Sequence, residues 1–207
     1  MKILLHMCCG PCAVMPLLRL LEEGHMVSGY FYNPNIHPLA EYLRRREGAA
    51  EVAARCGIKM IWALAPEDYS PPEWISLAAG LKGRTGKERC AWCLELRLRR
   101  TRALARSEGF DAFSSSLLYS RYQPHELIAA KGEEAARASG EETEPLSGGD
   151  PFFYYRDFRA DWRKGVNMSK AWGIYRQQYC GCIFSEYERY AAELRESNAR
   201  LTSSFFP

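Results

Sequence analysis

The chain has 207 residues, of which 47% are hydrophobic and 26% charged, with a formal net charge of +3. This is the balance of a soluble globular protein with one sizeable core, and no run reaches the ~18–20 apolar residues of a membrane span. So small a positive charge permits nucleic-acid contact without arguing for it, because local clustering matters more than the sum.

The N-terminal segment MKILLHMCCG lacks the apolar length and the small-residue cleavage site of a signal peptide. A cytoplasmic protein is expected, in a compartment where thiols stay reduced. Ile3–Met7 reads as a buried strand running into CCGPC. Pro11 suits a first helical turn, and Ala13–Glu23 has a helical apolar pattern closed by Gly24. Met26–Tyr32 is a second strand, closed by Asn33-Pro34-Asn35. His37–Cys56 is a helix stopped by Gly57, and Lys59–Leu64 a third strand. Pro66–Gly80 holds a short helix after Pro71-Pro72, Glu88–Ser107 is a long helix, Ala112–Tyr119 a fourth strand and His125–Ser139 a further helix. Residues 140–165 look irregular, and two helical stretches follow, Met168–Tyr179 and Phe184–Leu201, hinged at CGC.

Strands alternating with helices imply right-handed βαβ units and a parallel sheet flanked by helices, with the ligand site beyond the carboxyl ends of the strands. CCGPC follows the first strand and NPNIHP the second, so both loops are expected on one edge. The chain is expected to be a single α/β domain over 1–207, with 140–207 an aromatic and basic segment plus C-terminal helices that complete the site.

Seven of the eight cysteines fall in three clusters: Cys8, Cys9 and Cys12; Cys90 and Cys93; Cys180 and Cys182. Short spacings let two thiolates point at one centre, the pattern of a metal or redox site. CAWC is read on the first turn of its helix, where the N-terminus favours thiolate. Adjacent Cys8 and Cys9 suit two different centres or the edge of a metal cluster, and Gly10 would let the backbone approach a cofactor. Cys12 joins the site or packs as a small hydrophobe. Seven thiols exceed one zinc site, which favours iron–sulfur chemistry.

Other signals are weaker. SGGD at 147–150 lacks the flanking strand and helix of a phosphate loop and is read as a turn. Arg97, Arg99, Arg100, Arg102 and Arg106 share one helix, and Arg44, Arg45 and Arg46 another. Arg156, Arg159, Arg163 and Lys164 interleave with six aromatics between Phe152 and Trp162, a mixture that fits RNA. His37 at the presumed ligand edge is a candidate substrate contact.

CCGPC, NPNIHP with EYLRRR, CAWC leading into LRLRRT, DFR and YRQQYCGC, in this order over about residues 2–190, resemble the epoxyqueuosine reductases of the QueH type. The resemblance implies an adenine-nucleotide-hydrolase-like α/β fold in which the Cys motif replaces the phosphate loop. It implies reduction of the epoxide of epoxyqueuosine at the tRNA wobble position, without cobalamin, using a [4Fe–4S] cluster and a neighbouring mononuclear iron. By the same likeness Cys8, Cys9, Cys90, Cys93, Cys180 and Cys182 are ligands, with Cys12 a further candidate. Asp157 in DFR is the candidate oxygen ligand of the second iron, with Asp161 in reserve. Tyr179 or Tyr175 is the candidate acid, and Asn33, His37, Arg159 and Arg176 are candidate substrate contacts. With no flavin or nicotinamide motif, electrons are expected from an external carrier of ferredoxin or flavodoxin type. Two other classes compete: an RNA-binding module with structural zinc, and a metal-free thiol–disulfide enzyme.

Overall fold

A computed structural model of the chain describes residues 1–63, 65, 68–81, 86–137 and 149–205. The first two residues of SGGD, the end of the expected third strand at Leu64 and the end of the expected helix at Ser139 lie outside them. Among the described residues, five strands form one parallel sheet: β1 (Lys2–His6), β2 (Met26–Phe31), β3 (Lys59–Trp62), β4 (Ala112–Ser115) and β5 (Phe152–Phe153), in the order β3-β2-β1-β4-β5. Seven described α-helices flank it: α1 (Gly10–Glu22), α2 (Leu39–Cys56), α3 (Pro71–Gly80), α4 (Gly86–Ser107), α5 (His125–Arg137), α6 (Trp162–Ala171) and α7 (Ile183–Phe205). None of the described helices is long and apolar enough to cross a membrane.

β1 is the central strand, with β2 and β4 on either side of it. Ile3, Leu4 and Leu5 are fully buried, as expected where helices cover both faces of a parallel sheet. From β1 the chain winds outward through β2 to β3, then returns across the sheet to place β4 on the other side of β1. The carboxyl ends of β1 and β4 therefore flank the topological switch point, where crossovers diverge and leave a crevice. CCGPC starts there: Cys9 caps α1 with extended backbone, and Pro11 occupies its first turn.

Local chemistry explains where the sequence reading slipped. β4 stops at Ser115 rather than Tyr119, and Ser116–Tyr119 form a 3-10 turn. The Ser115 hydroxyl accepts the Leu117 N–H, an alternative to the sheet ladder that serine offers readily. The helix expected over Met168–Tyr179 lies upstream as α6, because Gly173 at φ 69° ends it and residues 174–182 form a loop. β5 has only two residues, too few for a periodicity signal. CAWC occupies the second turn of α4, not the first.

Gly10 serves helix packing. A Cβ there would lie 2.8 Å from the Gly48 carbonyl carbon and 2.9 Å from Ile174 Cγ2, so α1 and α2 meet backbone to backbone.

Candidate metal centre

The three thiol clusters collect around two adjoining cavities at the carboxyl end of the sheet. Cys8, Cys9 and Cys12 form one group, with their sulfurs all within 4.8 Å of one another. Cys8 and Cys9 thus share a single centre, with sulfurs 3.7 Å apart, because they lie in the strand-to-helix turn where side chains need not alternate. Cys90, Cys93, Cys180 and Cys182 line a second space of about 130 Å³. A larger cavity of about 680 Å³ is bordered by Cys8, Cys12 and Cys180, so Cys180 belongs to both walls. All eight cysteines are free thiols; Cys56 stands apart from the clusters on the side of the core.

Burial and neighbouring S–H groups separate the thiols. Hydrogen bonds from Cys12 and Cys9 hold Cys8 well below the ordinary thiol range, and their counterpart pushes Cys12 up. Desolvation pushes Cys9 up, and likewise Cys93 and Cys90. Cys182, whose sulfur lies 3.7 Å from that of Cys180, lowers Cys180 and is itself raised. Each group therefore holds one sulfur whose thiolate, the form that binds metal, is favoured over that of its neighbours. Ser116 Oγ accepts the Cys8 N–H at 3.3 Å and its hydroxyl lies 3.7 Å from the Cys8 sulfur, linking the ends of β1 and β4.

Two arginines from the sequence clusters are interior parts of this site. Arg97 on α4 is 6% exposed, lines the four-thiol cavity and donates its Nε–H to the Cys93 carbonyl at 3.1 Å. Its charge opposes the desolvation of the Cys93 thiol. It also helps hold buried His6 down to about 4, after desolvation itself. His6 is neutral, with Nε2 donating to the Tyr32 carbonyl and Nδ1 against Ser115 Oγ, an arrangement that fixes the tautomer. Arg45 on α2 is 1% exposed and pairs with Glu41 at 2.7 Å. It donates to the Cys180 carbonyl at 2.8 Å and the Tyr179 carbonyl at 3.1 Å, with its guanidinium over the Tyr179 ring. Glu41 accepts the Tyr175 hydroxyl at 2.5 Å. The Glu41–Arg45 pair thereby clamps the loop that presents Cys180. Arg45 and Arg97 both sit in runs that read equally well as solvated helix faces, which is why their burial could not be read from spacing.

The remaining sequence candidates divide. Arg176 lines the larger cavity, held by Ser169 Oγ at 2.6 Å, and Tyr179 lines it with its hydroxyl on the His37 carbonyl at 2.8 Å. Tyr175 faces Glu41 and borders neither cavity. Asn33 is buried and ties its amide to the Met7 carbonyl, and His37 is buried against Trp74; neither lines either of these two cavities. Asp157 is engaged by Arg159 through its side chain and backbone N–H, which holds the carboxyl down to about 2. Neither residue borders these two cavities, and Asp161 is paired with Arg19. Gln177 was not singled out by the sequence reading, yet its amide donates to Cys9 Sγ at 2.8 Å while its carbonyl oxygen is buried without a partner.

The donor chemistry fits iron–sulfur ligation. Four thiols around one small space match the donor count of a [4Fe–4S] cluster, and three more offer a sulfur face beside it. Asn35 Oδ1 and Trp74 Nε1, on residues lining that space, are buried without protein partners.

A family model described as "Epoxyqueuosine reductase QueH" matches residues 3–188. The chain is similar to the epoxyqueuosine reductase QueH of Dehalococcoides mccartyi, at 35% identity over 189 residues, 91% of this chain and 94% of that one. It is also similar to those of Acinetobacter baylyi, at 36% over 191 residues (89% and 80%), and Thermotoga maritima, at 33% over 206 residues (97% and 95%). Among solved structures, the U34-tRNA thiolase NcsA from Methanococcus maripaludis with its [4Fe–4S] cluster superposes with a TM-score of 0.56. That likeness has 13% sequence identity and spans 89% of this chain but only 61% of the thiolase, and it shows the fold alone. The family match, by contrast, encloses all three thiol clusters, and by it the protein belongs to the epoxyqueuosine reductase QueH family.

Proposed function

We propose that this protein reduces the epoxide of epoxyqueuosine at the tRNA wobble position to the olefin of queuosine, without cobalamin. Two electrons and two protons enter, both C–O bonds of the epoxide break, and the oxygen leaves as water. The observation that carries the reading is the gathering of the three thiol clusters around two adjoining cavities that share Cys180, the larger of them, about 680 Å³, of a size to take a nucleoside. Cys90, Cys93, Cys180 and Cys182 are the ligands assigned to a [4Fe–4S] cluster, and Cys8, Cys9 and Cys12 are assigned to a second iron. Asp157 is left out of that set, because its carboxylate is satisfied by Arg159. When bound, these groups supply single electrons, drawn from an external ferredoxin- or flavodoxin-like carrier, and a Lewis acid.

The chain's own residues supply the rest. Arg176 binds and orients the nucleotide in the larger cavity. Tyr179, on the wall of that cavity, is the assigned acid; its hydroxyl rests on the His37 carbonyl at 2.8 Å and turns from it to protonate the departing oxygen. Arg45 and Gln177 hold the loop and the thiols in register. The test is anaerobic reconstitution, counting iron and acid-labile sulfide, followed by nucleoside analysis of epoxyqueuosine-bearing tRNA. Expected are iron, sulfide and conversion to queuosine, with the Cys93→Ser variant losing both cluster and turnover. Bound zinc without sulfide, or an intact epoxide after incubation with reductant, would refute it and favour the zinc-module reading.

A further inference from the structure

We infer that Tyr122 and Trp162, with Arg121, form a stacking platform at the mouth of the larger cavity for unpaired RNA bases that flank the target nucleotide. The inference rests on the tRNA reading above. It starts from an exposure that the fold does not require. After the 3-10 turn Ser116–Tyr119 the chain crosses the rim in a short loop before α5, and the Ser120 hydroxyl accepts the Tyr122 N–H at 3.2 Å. The backbone at Tyr122 is thus pinned, while the residue is 82% exposed and still borders the cavity.

Tyr122 is not a scattered surface aromatic of the ordinary kind. Its ring stands edge-on to Trp162, with centroids 6.3 Å apart, and the Arg121 guanidinium lies 5.0 Å over the Trp162 ring. Trp162 also borders the cavity, and its carbonyl accepts the Tyr119 hydroxyl at 2.8 Å, so the base of the platform is anchored to buried structure. Positive groups border the cavity as well: Arg176, and Arg189 beside its partner Glu193, stand against Glu188, the lone acid among the described lining residues, while the charge of Arg45 is compensated by Glu41. Aromatic faces beside guanidinium groups, on a basic wall, are the chemistry that holds unpaired bases and their phosphates. A duplex keeps its bases stacked on one another and has none to offer such a surface.

The experiment compares holoenzyme binding, by fluorescence anisotropy, to a labelled RNA hairpin with an unpaired loop and to a blunt duplex of equal length, at one fixed salt concentration. Wild type is expected to favour the hairpin. Tyr122→Ala should weaken hairpin binding about tenfold, the loss of one base–ring stack, and leave duplex binding unchanged. Tyr122→Phe, which keeps the ring and loses the hydroxyl, should bind like wild type. Equal wild-type affinity for hairpin and duplex, a Tyr122→Ala affinity within twofold of wild type, or a Tyr122→Phe loss as large as that of Tyr122→Ala would overturn the platform. Failure of wild type to convert epoxyqueuosine would instead sink the reductase reading and leave the binding comparison standing, so the two failures are distinct.

Discussion

Replacing Arg45 with Met isolates the clamp on the thiol-bearing loop. The guanidinium is 1% exposed and satisfies one buried carboxylate and two loop carbonyls, at 2.7, 2.8 and 3.1 Å. Methionine fills much of the same volume and returns none of these bonds. Removing one partner of a buried ion pair costs about 3–5 kcal/mol, because the other charge stays behind without compensation. The two carbonyls would add about 1 kcal/mol or more each if they found no water. These costs overlap, since Glu41 can protonate and the loop can shift toward solvent, so about 4 kcal/mol is the working figure. For a chain of this size that is a Tm fall of roughly 8–16 °C. The loop shift has a second consequence: Cys180, whose carbonyl Arg45 holds, leaves its place between the two cavities. Thermal melts of the metal-free protein read the first effect, and iron per chain after reconstitution reads the second. The double variant Glu41→Gln/Arg45→Met should regain part of the stability, since it removes the stranded charge, but not the iron. A Tm within about 3 °C of wild type together with full iron content would refute the clamp.

Two further outcomes follow from particular contacts. Gly10→Ala drives a methyl against the Gly48 peptide and Ile174, where backbone cannot yield cheaply, and should cost about 1–3 kcal/mol in a denaturant melt. Equal stability of Gly10→Ala and wild type would show that α1 and α2 do not meet as closely as described. Asp157→Ala should retain full iron content, because the carboxylate is already engaged by Arg159. Its stability contribution is present above the ordinary pKa of 3.8 and is lost as pH falls through about 2. With Asp157 39% exposed the effect stays within about 1 kcal/mol, so Asp157→Asn should only flatten the acid limb of a pH–stability profile; loss of iron in either variant would return Asp157 to the ligand set.

The sequence by itself determined the parallel α/β plan and the thiol inventory. Period-two and buried apolar runs separated by helical patterns leave few topologies, and glycines after helices mark their ends, as Gly57 does for α2 at φ 66°. CCGPC after the first strand placed chemistry at the carboxyl edge for the same reason. Tertiary structure decided what spacing along the chain does not encode. Which thiols meet depends on α4 and the loop after α6 folding over the switch point, so Cys90 and Cys93 line a cavity with Cys180 and Cys182, while Cys12 joins Cys8 and Cys9. Which arginines are interior depends on the element packed against each helix face, so Arg45 and Arg97 are buried while Arg99, in the same kind of run, stays on the surface. Asp157 illustrates a contact set locally: its carboxylate pairs with an arginine two residues away, because a local bidentate partner is reached at little entropic cost.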